Sequence, residues 1–174
     1  MADSPDTMAI SPAVEAQGIC LRLLTGRSRS RAELAEALRG RGIPEEVSAP
    51  VLDRLTEVGL VDDAAFAESA VHSGHHHRGL GRRALSTELR RRGVPDKIVR
   101  EVVATVRPED EELRARELVR RKLRTCTVRD VTTLARKLGG MLARKGYSEG
   151  LAWRVVRDEL GPVDCPAEVE PCPD

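Results

Sequence analysis

The sequence predicts an all-α protein built from three tandem three-helix, helix-turn-helix-like repeats. Three observations predict it. Leu34, Leu38, Gly42 and Ile43 recur as Leu85, Leu89, Gly93 and Val94, and again as Leu138, Leu142, Gly146 and Tyr147, at offsets of 51 and then 53 residues. Self-similarity at a fixed period is the signature of a repeat array. Apolar residues then follow one another at spacings of three and four, which places them on one face of a helix. Finally, the 174 residues include one Phe, one Tyr and one Trp, so the cores are built from Leu, Val, Ile and Ala.

Residues 1–11 mix Ser, Pro, Asp and Ala without periodicity and are expected to form a disordered tail. Repeat 1 is assigned to 12–60. Its first helix, over roughly 13–25, carries Val14, Ile19, Cys20, Leu21 and Leu24. Leu34, Ala35 and Leu38 mark the second, and Val47, Val51, Leu52 and Leu55 the third. Repeat 2 is assigned to 61–108, with Phe66, Ala67, Ala70 and Val71, then Leu85 and Leu89, then Ile98, Val102 and Val106. Repeat 3 is assigned to 109–160, with Leu118, Val119 and Leu123, then Leu134, Leu138 and Leu142, then Leu151, Val155 and Val156. Glu159 stands where Leu55 and Val106 stood, which leaves the end of the last helix either rotated or facing solvent. Residues 161–174, with four Pro and four acids, form a second expected disordered tail. Helices this short are marginal alone, so packing must hold them.

Gly42, Gly93 and Gly146 each follow a helix that ends in basic residues. Glycine enters the left-handed conformation without steric cost, which suits the position just past a helix end. The apolar residue after each glycine is expected to fold back on the last turn. Pro44 and Pro95 then open the next helix, and Ser148 with Glu149 does so in the third copy.

The net charge of +1 hides an asymmetry. Residues 12–160 carry 29 basic and 22 acidic groups, while the two tails carry only acids. Residues 12–63 hold 7 basic and 9 acidic groups, residues 72–100 hold 8 and 2, and residues 114–145 hold 11 and 2. Arg78, Arg82 and Arg83 precede the Leu85–Leu89 helix, and Arg90, Arg91 and Arg92 close it. Arg120, Arg121, Lys122 and Arg124 close the first helix of repeat 3, and Arg144 and Lys145 close its second. These runs look uncompensated by acids, which favours a polyanion or an acidic protein as partner. The basic segments lack aromatics, so base stacking is less supported than contact with phosphates.

Catalysis finds little support. His72 and His76 share zinc-ligand spacing, but no Glu, Asp or Cys follows at ligand spacing. His72, His75, His76 and His77 therefore read as a solvated, partly cationic loop ahead of Gly79 and Gly81, with no metal. Cys20 reads as a core thiol, and neither it nor Cys126 has a motif-placed His. Asp62 and Asp63 read as a helix N-terminus rather than a carboxylate pair. No cofactor is expected. Cys165 and Cys172 lack CxxC spacing, and the four cysteines do not form a disulfide framework, which fits a cytoplasmic home. No apolar run approaches the roughly 20 residues of a membrane span.

Several motifs stand together in a specific order. Gly59-Leu60-Val61-Asp62-Asp63 precedes Phe66-Ala67, then the basic loop Arg78-Gly79-Leu80-Gly81-Arg82-Arg83, then Leu85, Glu88, Leu89, Arg92, Gly93 and Val94. Cys20-Leu21-Arg22-Leu23-Leu24 with Ser28, Arg29, Arg31, Glu33 and Leu34 leads them, and Lys145-Gly146-Tyr147 closes them. Across about 12–160 the chain resembles RecX, the bacterial modulators of the RecA recombinase. The resemblance implies an elongated, curved, non-enzymatic protein. It implies RecA and the RecA–DNA filament as partners, with inhibition by blocked extension or promoted disassembly, and a monomer is expected. The twelve basic residues from Arg78 to Lys145 named above are the expected contacts to filament or DNA. A helix-turn-helix regulator acting on duplex DNA directly is the alternative. A zinc enzyme built on the histidines is a third class.

Overall fold

A computed structural model describes residues 11–126 and 130–161 of the chain. The first and last segments, including Cys165 and Cys172, lie outside the described residues, and so do the expectations of disorder there. Nine α-helices and no strands occur among the described residues. They are α1 (Pro12–Gly26), α2 (Arg31–Arg39), α3 (Glu45–Glu57), α4 (Asp63–His76), α5 (Arg82–Arg91), α6 (Asp96–Ala104), α7 (Pro108–Leu123), α8 (Val131–Arg144) and α9 (Glu149–Leu160).

The chain forms two compact units. The first comprises residues up to 70 together with 88–102, and the second comprises 71–87 with 103 onward. The core of the first buries Ala16, Ile19, Cys20, Leu34, Leu38, Leu52, Leu55 and Val61. The core of the second buries Ala115, Leu118, Val119, Leu138, Leu142, Tyr147, Leu151, Val155 and Val156, among others. Both follow the apolar stripes that the three- and four-residue spacings define, except that Val14 and Leu21 of α1 face outward and are exposed while Ala16 is buried. Burial of one such Leu or Val side chain is worth about 1.5–3 kcal/mol.

Local chemistry starts and stops the helices. Ser30 caps α2 in a capping box: its hydroxyl accepts the Glu33 N–H at 3.1 Å, and the Glu33 carboxylate accepts the Ser30 N–H at 3.4 Å. Asp130 and Ser148 cap α8 and α9 from their side chains. At the other ends the recurring glycines close Schellman motifs. Ile43, Val94 and Tyr147 donate their N–H to the carbonyls of Leu38, Leu89 and Leu142, at 3.2, 3.1 and 3.2 Å.

The same turns receive a second helix. Within the first unit, Ser30 Oγ also donates to the Arg92 carbonyl at 2.5 Å, and Asp63 accepts the Arg31 N–H at 2.8 Å. A Cβ on Gly93 would sit 2.2 Å from Cβ of Ala32. Within the second unit, Gly81 N–H donates to the Lys145 carbonyl at 2.8 Å and Arg83 N–H to the Gly146 carbonyl at 3.2 Å. Glu111 accepts the Arg82 N–H at 2.8 Å, and a Cβ on Gly146 would sit 2.2 Å from N of Ala84. In both units the start of one helix rests on a later glycine turn, and a carboxylate from a later helix takes up a first-turn N–H.

Glu159 is not left to solvent. Its side chain is 11% exposed and receives Arg120 in a bidentate pair at 2.8 and 2.9 Å. The hydrogen bonds from Arg120, outweighing the upward push of burial and helped by its charge and by Arg116, hold its carboxyl below the usual carboxylate range.

Candidate polyanion interface

The expectation that the basic runs lack acidic partners is corrected for several of their members. Arg92 lies with its guanidinium 4.2 Å from the Phe66 ring centroid. It donates to Glu33 through Nε at 2.9 Å and Nη2 at 3.3 Å. Its side chain is 20% exposed, so it is a structural ion pair rather than a presented cation. Burial works to raise the Glu33 carboxyl, but Arg92, Arg27 and the Ser30 N–H together hold it low. Arg90 pairs with Asp96 at 2.7 Å and Arg120 with Glu159. Arg82 is half-buried, with its backbone held by Glu111. The Arg78 carbonyl accepts Lys145 Nζ at 2.6 Å. Burial first, then the charges of Arg121, Arg114 and Arg78, make the Lys145 ammonium easier to deprotonate than usual.

Sequence spacing could not reveal this pairing, because most of the acids lie far away along the chain. Arg92 and Glu33 are 59 residues apart, and Arg120 and Glu159 are 39 apart.

In the second unit the charges are sorted by side. Toward α9, Arg116 bonds Glu112 and Asp158 at 2.7 Å each, and Arg154 bonds Glu112 at 2.7 Å. Toward α8, a groove of about 670 Å³ is lined by Lys122, Thr133, Arg136, Lys137, Met141 and Arg144. Its four cations are exposed, and none enters an ion pair among the described residues. Arg121 and Arg124 are likewise exposed on the last turns of α7 and its C-cap. Asp130, which accepts the Thr133 N–H at 2.7 Å, is held low mainly by that hydrogen bonding, with Arg136 adding to it. Four like charges around one groove attract an anion and are worth more together than singly.

Of the expected contacts, Lys122 and Arg144 come together here, whereas Arg83 and Arg91 are exposed elsewhere. Arg91 lines a separate groove of about 830 Å³ in the first unit, with Arg27, Arg29, Glu33, Glu36 and Glu88. That groove is mixed in sign: Arg27 approaches Glu33 at 3.6 Å and Arg39 bonds Glu36 at 2.5 Å. Arg136 and Lys137 are not among the residues expected from the basic runs. A signal for them exists, since Thr133, Arg136, Lys137 and Arg144 recur at helical spacing on a row beside that of Leu134, Leu138 and Leu142.

The histidine run is not a loop. His72, His75 and His76 belong to α4, and His75 is buried with Nδ1 3.1 Å from the Leu80 carbonyl. The His72 and His76 rings lie 4.6 Å apart between centroids, tilted by 44°. Desolvation first, then His72 and His75, lower the pKa of His76. Among the described residues, no group of three or more His, Cys, Asp or Glu could hold a metal ion. Cys20 is fully buried, and burial pushes its thiol up, away from the thiolate a nucleophile needs. No helix among the described residues is long and apolar enough to cross a membrane.

Two family models match the chain: the first three-helix domain of RecX over residues 16–55, and the second over residues 62–103. A Regulatory protein RecX of Streptomyces coelicolor is 55% identical over 149 residues, covering 86% of this chain and 79% of that protein. The chain belongs to the RecX family. A second RecX, from Thermobifida fusca, is 56% identical over 145 residues, covering 83% and 78%. The crystal structure of RecX from Lactobacillus salivarius matches with a TM-score of 0.73 at 19% identity, over 84% of this chain and 96% of that one. That likeness places the helices of this RecX chain in the same fold. The relatives are named as regulatory proteins, and no catalytic activity is indicated by those names.

Proposed function

We propose that this RecX-family protein regulates the RecA recombinase in the cytoplasm. It binds RecA and the RecA–DNA filament, and inhibits recombination, ATP hydrolysis and coprotease activity by blocking filament extension or promoting disassembly. Membership of the RecX family carries the reading. The unpaired cations of the α7–α8 groove support a contact to a negatively charged partner, whether filament DNA or acidic protein. The exposed Arg83, Arg91, Arg121 and Arg124 supply further positive surface.

The test is RecA-dependent ATP hydrolysis on single-stranded DNA with increasing amounts of this protein. Inhibition at stoichiometries well below one per RecA supports blocked extension. Hydrolysis unaffected at equimolar protein overturns the reading. Tight duplex binding without any recombinase, surviving excess random competitor, would replace it with direct regulation of DNA.

A further inference from the structure

The α7–α8 groove is cationic, open and unpaired, and the same chain carries a segment of opposite charge. Residues 162–174 contain Asp164, Glu168, Glu170 and Asp174 and no basic residue. The segment leaves the helices within the same compact unit as the groove. Glu159, at the end of α9, grips Arg120 at 2.8 Å, and two residues further along α7 stands Lys122 in the groove wall. Leu160 and Leu123 flank the same core, as does the groove residue Met141. Gly161, at φ 80°, ends α9. Thirteen residues can extend to about 43 Å, at about 3.3 Å each, about twice the breadth of two packed helices.

We infer that the acidic segment 162–174 occupies the α7–α8 groove in the free protein and is displaced when a polyanionic partner binds. Its four carboxylates face Lys122, Arg136, Lys137 and Arg144. A surface contact between opposite charges is individually weak and screened by salt. Tethering changes the balance, because a short linker holds the segment at an effective concentration of about millimolar. A contact too weak to form between separate molecules is then populated. A phosphate backbone, with more charge per length, displaces it, so the segment raises the threshold for weak anionic partners. The contact is a property of the free chain and does not depend on RecA being the partner.

Carbodiimide cross-linking of the full chain tests this, since the reagent joins a carboxylate to an amine only where the two touch. The chain has four lysines: Lys122 and Lys137 in the groove, Lys145, and Lys97 in the other unit. Peptide mapping of the monomer should find segment 162–174 joined to Lys122 or Lys137 several-fold more than to Lys97, with the products absent at 1 M salt. Equal coupling to Lys97, or none to the groove lysines, overturns the inference. A second measurement uses the full chain with D164N, E168Q, E170Q and D174N, changes that leave the helices and their hydrogen bonds intact. The amide resonances of Arg136, Lys137 and Arg144 should shift between the two proteins. Superimposable resonances on α8 would likewise overturn it.

Discussion

Gly93 and Ala32 approach so closely that a Cβ on the glycine would lie 2.2 Å from the alanine Cβ. Gly146 and Ala84 repeat the relationship at 2.4 Å in the second unit. Gly42, the matching glycine of the first three helices, has φ +76° like the others but nothing within 4 Å of its Cβ position. The three glycines therefore share one backbone reason, and two of them have a packing reason as well.

That difference predicts a graded stability series. Gly42→Ala should cost about 1–2 kcal/mol from left-handed strain alone. Gly93→Ala and Gly146→Ala should each cost a further ~1–3 kcal/mol, because the new methyl meets a helix start that must move. Urea unfolding of the three variants measures the order. Equal losses at all three positions would remove the packing role.

Arg92→Ala should lower stability by about 1–2 kcal/mol, since it leaves the half-buried Glu33 without its bidentate partner and uncovers Phe66. The Glu33 carboxyl is held below its ordinary value of 4.5 in the folded protein. Its contribution is therefore full above that value and fades as pH falls through the lower folded one. The loss between wild type and variant should shrink on acidification toward pH 3. Charge reversal across Arg90, Arg91 and Arg92 confounds binding with folding, so Arg91→Glu is the cleaner probe of contact.

The sole tyrosine, Tyr147, is 2% exposed and donates from its hydroxyl to the Gly79 carbonyl at 3.1 Å. Burial first, and the nearby Glu111 charge next, push its ionisation well above the ordinary value of 10. The contribution of a group raised in this way is full below its unfolded pKa and is lost as pH rises from there through the higher folded one. Alkaline titration followed at 295 nm should show phenolate appearing together with loss of helical circular dichroism, not before it. Tyr147→Phe should cost about 1 kcal/mol in urea unfolding.

Arg136→Glu with Lys137→Glu should leave helicity unchanged and weaken both inhibition of RecA ATP hydrolysis and binding to the filament. The dependence of binding on salt should flatten, by about 0.7–0.9 in the log–log slope for each phosphate no longer neutralised. Arg116→Glu, on the paired side of α7, should instead reduce stability, because it breaks the bonds to Glu112 and Asp158.

Much of this molecule is legible in its residues, and the limits have physical causes. Helix existence and the glycine turns follow from local rules: apolar spacing, left-handed φ, and caps such as Ser148. Those forces act within a few residues and leave a signature there. The histidine run is an exception, because Gly79 and Gly81 suggest a break earlier than the helix ends. Gly74 lies inside α4, and His75 closes that helix with a hydrogen bond to Leu80.

The sequence by itself determined the all-helical repeat, most of its core residues though not the exposed Val14 and Leu21, and the excess of positive charge in the later segments. The tertiary structure alone decided which charges are available. Arg92 and Lys122 stand in similar basic runs, yet the first is spent on Glu33 and the second faces an open groove. A charge count treats them alike. The distinction rests on distances between residues far apart in the chain, and electrostatic attraction between such groups is settled only when folding brings them within a few ångströms.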